Sequence, residues 1–205
     1  VVINFSVVWY TLGIFALVFL VYRISFQFDA VVPVRRLSFP PLLVLLLSVV
    51  FMLAGGAMGN RLSEVFGINN IEARPSWSAT FEVAKHTLIE RPLFGAGPNR
   101  FATEWLKWKP VGVNETVFWN TDFENGVGLL PSFLATIGIV GMLAWLLFFL
   151  FFLYAGFRAM LAENLDLFSR YIVTSSFFVA LFFWVFSLFY IPSASIFALS
   201  FLFTG

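Results

Sequence analysis

The sequence predicts an all-α, polytopic integral membrane protein, a helical bundle with four to five spans and a large extracytoplasmic loop that contains short helices. Three observations predict it. Of 205 residues, 60 % are apolar and only 11 % charged, against about 45–50 % and about 25 % in soluble domains. Several apolar runs reach the ~20 residues that a helix needs to cross a bilayer. Of the 23 charged side chains, 15 fall in the single segment 59–125. The same numbers exclude other classes. A net charge of +1 argues against a nucleic-acid binder. With no Cys there are no disulfides or thiolate sites, and a single His rules out a His-cluster metal site.

The first expected span is residues 2–22, free of charge. It lacks the basic start and small-residue cleavage site of a signal peptide, and Arg23 follows it. The second is residues 40–58, with Pro40 and Pro41 tolerated in the first turn. The apolar run after Val127 exceeds one span. Its cleaner part is 136–157, and 126–135 reads as a re-entrant or interfacial lead-in. The fourth span is 171–190. Pro192 and Ser193 break the run, and a fifth span is expected to begin near Ile196. The chain thus divides into 1–58, two spans with a cytoplasmic loop; 59–125, the large loop; and 126–205, the lead-in, two spans and the start of another. Its apolar ends and its start at Val1 lead us to expect a fragment of a larger protein.

Short loops set the orientation. Arg23, Arg35 and Arg36 lie between the first two spans, and Arg158 and Arg170 between the third and fourth. Their excess places that side in the cytoplasm and the loop 59–125 outside.

Within the loop, Trp77, Phe81, Ala84 and Leu88 repeat at helical spacing and predict an amphipathic helix over about 75–90, ended by Arg91-Pro92. Such a helix lies on the membrane surface or packs on the spans. The run Arg91-Pro92-Leu93-Phe94-Gly95-Ala96-Gly97-Pro98-Asn99-Arg100-Phe101 follows. Two glycines two apart permit a tight turn with exposed amides. Pro98 suits the first turn of a helix over 99–106. Either the segment is only a turn, or Gly95, Gly97, Arg91 and Arg100 hold a phosphate or diphosphate. At the mouth of the third span, either Asp122 or Asn125 caps the helix, or the Asp122 and Glu124 carboxylates are able to act as a base. His86, one turn after Glu82, is either a packed interfacial residue or a base.

The stretch from Arg74-Pro75-Ser76-Trp77 through a helix to Arg91-Pro92-Leu93-Phe94-Gly95-Ala96-Gly97, with Thr136-Ile137-Gly138-Ile139-Val140-Gly141 at the following span, resembles the O-antigen ligase/polymerase superfamily. The resemblance covers roughly residues 74–147. It implies a GT-C-like membrane glycosyltransferase of polysaccharide and cell-envelope biosynthesis, in the inner (cytoplasmic) membrane. The donor it implies is a polyprenyl-diphosphate-linked glycan, and the acceptor a hydroxyl of a glycan, lipid or protein. It also implies loop arginines on the diphosphate, here Arg74, Arg91 and Arg100, and a loop His as base. No metal or cofactor is required, because guanidinium groups stabilise the diphosphate leaving group. The sequence departs from the family in having Thr136 in place of an acid and, more importantly, at the catalytic His. The family's His-Asn-x-x-Leu would align near Val127-Gly128, where there is no His, although Trp119-Asn120-Thr121-Asp122-Phe123 offers a shifted slot. The base is then Asp122, Glu124 or His86. The alternative readings are a lipid-linked glycan transporter or flippase component, or a catalytically inactive scaffold.

Overall fold

A computed structural model describes residues 6–26, 39–66, 74–162 and 165–205, and eight α-helices form among them. They are α1 (Ser6–Phe26), α2 (Phe39–Phe66), α3 (Trp77–Glu90), α4 (Phe101–Trp108), α5 (Leu129–Thr136), α6 (Gly138–Met160), α7 (Leu167–Phe186) and α8 (Ala194–Thr204). Four segments are long and apolar enough to cross a membrane: Val7–Ser25, Phe39–Ala57, Gly138–Met160 and Phe168–Phe186. Between 11 and 28 % of each is buried inside the protein, so most of this apolar surface faces outward, as a lipid-facing surface does.

Most span boundaries differ from the expected ones by several residues. α1 continues to Phe26, so Arg23 belongs to the helix and not to a loop. α2 starts one residue before Pro40 and runs to Phe66, eight residues past its expected end and into the segment read as loop. α7 begins and ends four residues early. Ser193 caps α8 by accepting from the Ile196 N–H at 3.4 Å, and α8 has only 11 residues. Arg35 and Arg36, on which the orientation partly rests, lie outside the described residues.

The chain forms two compact units. The first comprises residues 1–71 and 165–182. Here α1 and α2 approach closely at Gly13, where a Cβ would stand 3.3 Å from that of Ser48. Small residues at such crossings let helix backbones approach without a large side chain between them. Trp9 stacks on Phe51 at 4.3 Å, and Phe19 meets Phe178 edge-on at 5.2 Å. Arg23 is buried, with its guanidinium carbon 5.2 Å from the Tyr171 ring centroid. Asp166 accepts from the Phe168 and Ser169 N–H groups at the start of α7. The Ser169 side-chain and backbone hydrogen bonds hold its carboxyl below the ordinary carboxylate range.

The second unit, residues 72–164 and 183–205, contains the folded loop. Its core joins Ala79, Val83 and Ala84 of α3, Phe101 and Trp105 of α4, Phe123, and Ala135 of α5. α3 starts at Trp77, because the Ser76 hydroxyl caps it by accepting from the Ala79 N–H at 3.1 Å. The core takes a face of α3 beside the expected apolar stripe and shares Ala84 with it. Ala79, Thr80, Val83, Ala84 and Thr87 are buried, while Trp77 and Phe81 are 41 % and 46 % exposed. α4 starts two residues later than expected, since Pro98 and Asn99 form a turn in which Asn99 has φ +57°. Glu104 is buried on α4, where Lys107 pairs with it at 2.9 Å, as a buried carboxylate requires.

The apolar run after Val127 is divided at Ile137-Gly138 into α5, in the expected lead-in, and α6, the expected third span, and Gly138 has φ +64°. Against that break sits the loop after α3. The Ala96 N–H donates to the Ala135 carbonyl at 2.8 Å and the Gly97 N–H to that of Thr136 at 2.9 Å. In return, the Ile139 and Val140 N–H groups donate to the carbonyls of Pro92 and Leu93 at 3.0 and 3.1 Å. The loop therefore satisfies the last carbonyls of α5 and the first amides of α6, groups that a helix end leaves without partners.

Candidate functional site

A cavity of about 410 Å³ opens in the second unit. Its walls are residues 121–127, Arg74 with Pro75, and Tyr190 with Ile191. Each wall has its own anchor. Trp105 Nε1 donates to the Thr121 carbonyl at 3.2 Å, and Phe123 meets the Trp105 ring edge-on at 5.1 Å. Phe123 is buried while Asp122 and Glu124 on either side of it are exposed. The buried ring therefore turns both carboxylates outward at the cavity.

The far end of that wall is pinned twice. The Thr80 hydroxyl donates to the Ser76 carbonyl and accepts from the Val127 N–H, both at 2.9 Å. Ser132 Oγ accepts from the Gly126 N–H at 2.9 Å and donates to the Gly128 carbonyl. A Cβ on Gly126 would lie 2.3 Å from Thr80 Cγ2, so only glycine fits there. Replacing Thr80 with valine leaves the buried Val127 N–H without its acceptor. A loss of about 1–3 kcal/mol is expected. Thermal unfolding in detergent, with Gly112→Ala as a neutral control, measures it.

Arg74 is placed by its Nη1, which donates to the Phe189 carbonyl at 3.0 Å just beyond α7. The Tyr190 N–H bonds to the Phe186 carbonyl, and the Tyr190 carbonyl accepts from Leu129 at 3.3 Å. The Leu129 and Leu130 N–H groups also reach the Ser187 carbonyl, at 3.0 and 3.4 Å. These contacts decide what Asp122 and Asn125 are for. The residue at the start of α5 is Gly128, with no side-chain cap, and backbone carbonyls beyond α7 take the first amides of the helix. Neither Asp122 nor Asn125 is therefore a helix cap. Among the described residues, the Asp122 and Glu124 carboxylates make no hydrogen bond or ion pair.

Comparison with protein-family models, curated proteins and solved structures gives no match.

Of the eight candidate residues, the cavity gathers three, Arg74, Asp122 and Glu124. The other five do not line it. His86 stacks on the Trp108 ring at 4.5 Å and 6°, as a packed residue does. Arg91 ends α3 and Arg100 precedes α4, both exposed, and neither guanidinium has a hydrogen-bond or ion-pair partner among the described residues. The expected exposed amides of the glycine turn are already used. The Gly95 N–H bonds to the Arg91 carbonyl at 3.0 Å, and those of Ala96 and Gly97 to α5 as above. They are not available to a phosphate. The glycines serve close approach instead: a Cβ on Gly95 would lie 2.5 Å from the Ala135 carbonyl oxygen.

Sequence reasoning missed Tyr190. The signal was there, an aromatic hydroxyl at the end of an apolar span, but it read only as a boundary. Among the described residues no three metal-ligating side chains gather at one point. Chemically, the cavity sets one guanidinium, a donor to anionic oxygens, beside two carboxylates, which are acceptors of protons.

Proposed function

We propose that the chain is part of an O-antigen ligase/polymerase-like, GT-C-type glycosyltransferase, and that the Arg74–Asp122–Glu124 cavity is its transfer site. One observation carries the reading: a fixed guanidinium and two carboxylates, unpaired among the described residues, share one cavity beside the ends of helices long and apolar enough to cross a membrane. The donor is a glycan on a polyprenyl diphosphate. The diphosphate carries concentrated negative charge, and a guanidinium matches its geometry and stays charged. The acceptor hydroxyl attacks the anomeric carbon as its proton passes to Asp122 or Glu124. The bond from that carbon to the diphosphate oxygen breaks, and polyprenyl diphosphate leaves with the electron pair. In-line attack inverts the anomeric centre.

The site faces the extracytoplasmic side of the cell membrane. Arg158, in the last turn of α6, lies a full membrane crossing away from the Gly138 end, and Arg170 stands in the first turn of α7. Arginines flanking that short connection mark the cytoplasmic face.

Full-length protein incubated with a polyprenyl-diphosphate oligosaccharide and candidate hydroxyl acceptors is expected to yield an inverted glycosidic product and free polyprenyl diphosphate in equal amounts. Tight donor binding without turnover favours a carrier. Neither binding nor turnover removes the proposal.

A further inference from the structure

α3 has two apolar sides, and the protein covers one of them. The core side carries Thr80, Val83 and Thr87, all with no exposed surface. About a quarter of a turn round the helix lies a second stripe, Trp77, Phe81 and Leu88, meeting the first at Ala84. Trp77 and Phe81 stack at 5.8 Å yet stay 41 % and 46 % exposed. The remaining side carries the exposed Ser78, Glu82, Lys85 and Glu90, with Ile89 among them 69 % exposed.

Both ends of α3 are fastened to ends of membrane-crossing helices. At its start, the Trp77 ring meets Phe189 edge-on at 6.1 Å, three residues beyond α7. After its end, the Pro92 and Leu93 carbonyls accept from Ile139 and Val140 in the first turn of α6. α6 leaves this membrane face and α7 returns to it, so the two fastenings lie at one level. Gly128 shows the same adjacency, since a Cβ there would stand 2.3 Å from the Leu188 carbonyl oxygen. Fourteen residues of helix span about 21 Å, so the axis runs along the membrane surface. At the level of Ile139 and Val140, Leu93 and Phe94 are 56 % and 70 % exposed.

We infer that α3 lies in the plane of the membrane with its Trp77–Phe81–Leu88 stripe, followed by Leu93 and Phe94, set into the headgroup–acyl boundary of the lipid. The occupant of the stripe is lipid because its two neighbours along the chain, the ends of α6 and α7, are themselves at the lipid boundary. Indole at the rim and a Lys on the remaining side are the side chains such a helix uses.

The chain has no Cys, which makes single-site labelling direct. Full-length protein carrying Phe81→Cys or Glu82→Cys, and as a second pair Leu88→Cys or Lys85→Cys, is labelled with an environment-sensitive fluorophore. It is then placed in vesicles of phosphatidylethanolamine and phosphatidylglycerol. The labels at 81 and 88 are expected to be quenched by nitroxide-bearing lipid and shielded from aqueous iodide, and those at 82 and 85 the reverse. Equal iodide access at all four positions overturns the inference. So does a label at 81 or 88 shielded from both quenchers, which would mean that protein covers the stripe. If one pair does not fold, the other decides.

Discussion

Gly138→Ala is expected to cost about 4 kcal/mol or more, an exceptional loss for one methyl group. Gly138 has φ +64°, a left-handed conformation that costs an L side chain roughly 1–2 kcal/mol. The added Cβ would also lie 2.5 Å from the Gly95 nitrogen and 2.6 Å from the Leu93 oxygen, both backbone atoms with no flexible end to move. Separating the two segments strains the four reciprocal hydrogen bonds between the loop 92–97 and the α5–α6 break, each worth about 1 kcal/mol. Gly95→Ala presses on the same contact from the other side and is expected to behave alike, with the double variant less than additive. Gly112, with nothing within 4 Å of its Cβ position, is the control: Gly112→Ala should be near neutral. Thermal unfolding in detergent ranks the three. A Gly138→Ala midpoint equal to that of Gly112→Ala would refute the docking.

The second large effect belongs to Arg74. Arg74→Ala is expected to lower glycan transfer by roughly 10²–10³-fold, the usual cost of removing one preorganised group aimed at transition-state charge. Arg74→Lys keeps the charge but loses the planar fork and should fall between. Arg91→Ala and Arg100→Ala, whose side chains lie outside the cavity, should stay near wild type. Initial rates at saturating and limiting donor separate a turnover defect from weakened binding.

The number and kind of helices could be read from the sequence because apolar length and punctuation carry them. Helix α3 was legible from its period, and its stop from Arg91-Pro92. Which side of it the protein buries was not. Trp77 and Phe81 dominate any apolar periodicity, yet the core takes Thr80 and Thr87, which pass as polar in a pattern but bond to the Ser76 and Val83 carbonyls one turn back. The division of the apolar run after Val127 was legible to within two residues, but the backbone geometry at Gly138 was not. A positive φ there depends on a partner 43 positions earlier, Gly95, which local pattern cannot see. The glycine turn misled for the same reason: from sequence its amides look exposed, and only the tertiary contact shows them engaged. Asp122 and Glu124 stood out as acids at a span mouth. What turned them from caps into cavity groups was the backbone beyond α7 supplying the cap instead.

The most direct test of the transfer site is the identity of its base. Transfer from a polyprenyl-diphosphate oligosaccharide is measured for full-length wild type, Asp122→Asn, Glu124→Gln, the double variant and His86→Ala. The proposal predicts that one carboxamide variant loses about 10²–10⁴-fold in turnover, that the double variant does no better, and that His86→Ala, which removes a ring stacked on Trp108, keeps turnover. Full activity in the double variant with loss in His86→Ala would contradict it and move the chemistry out of this cavity.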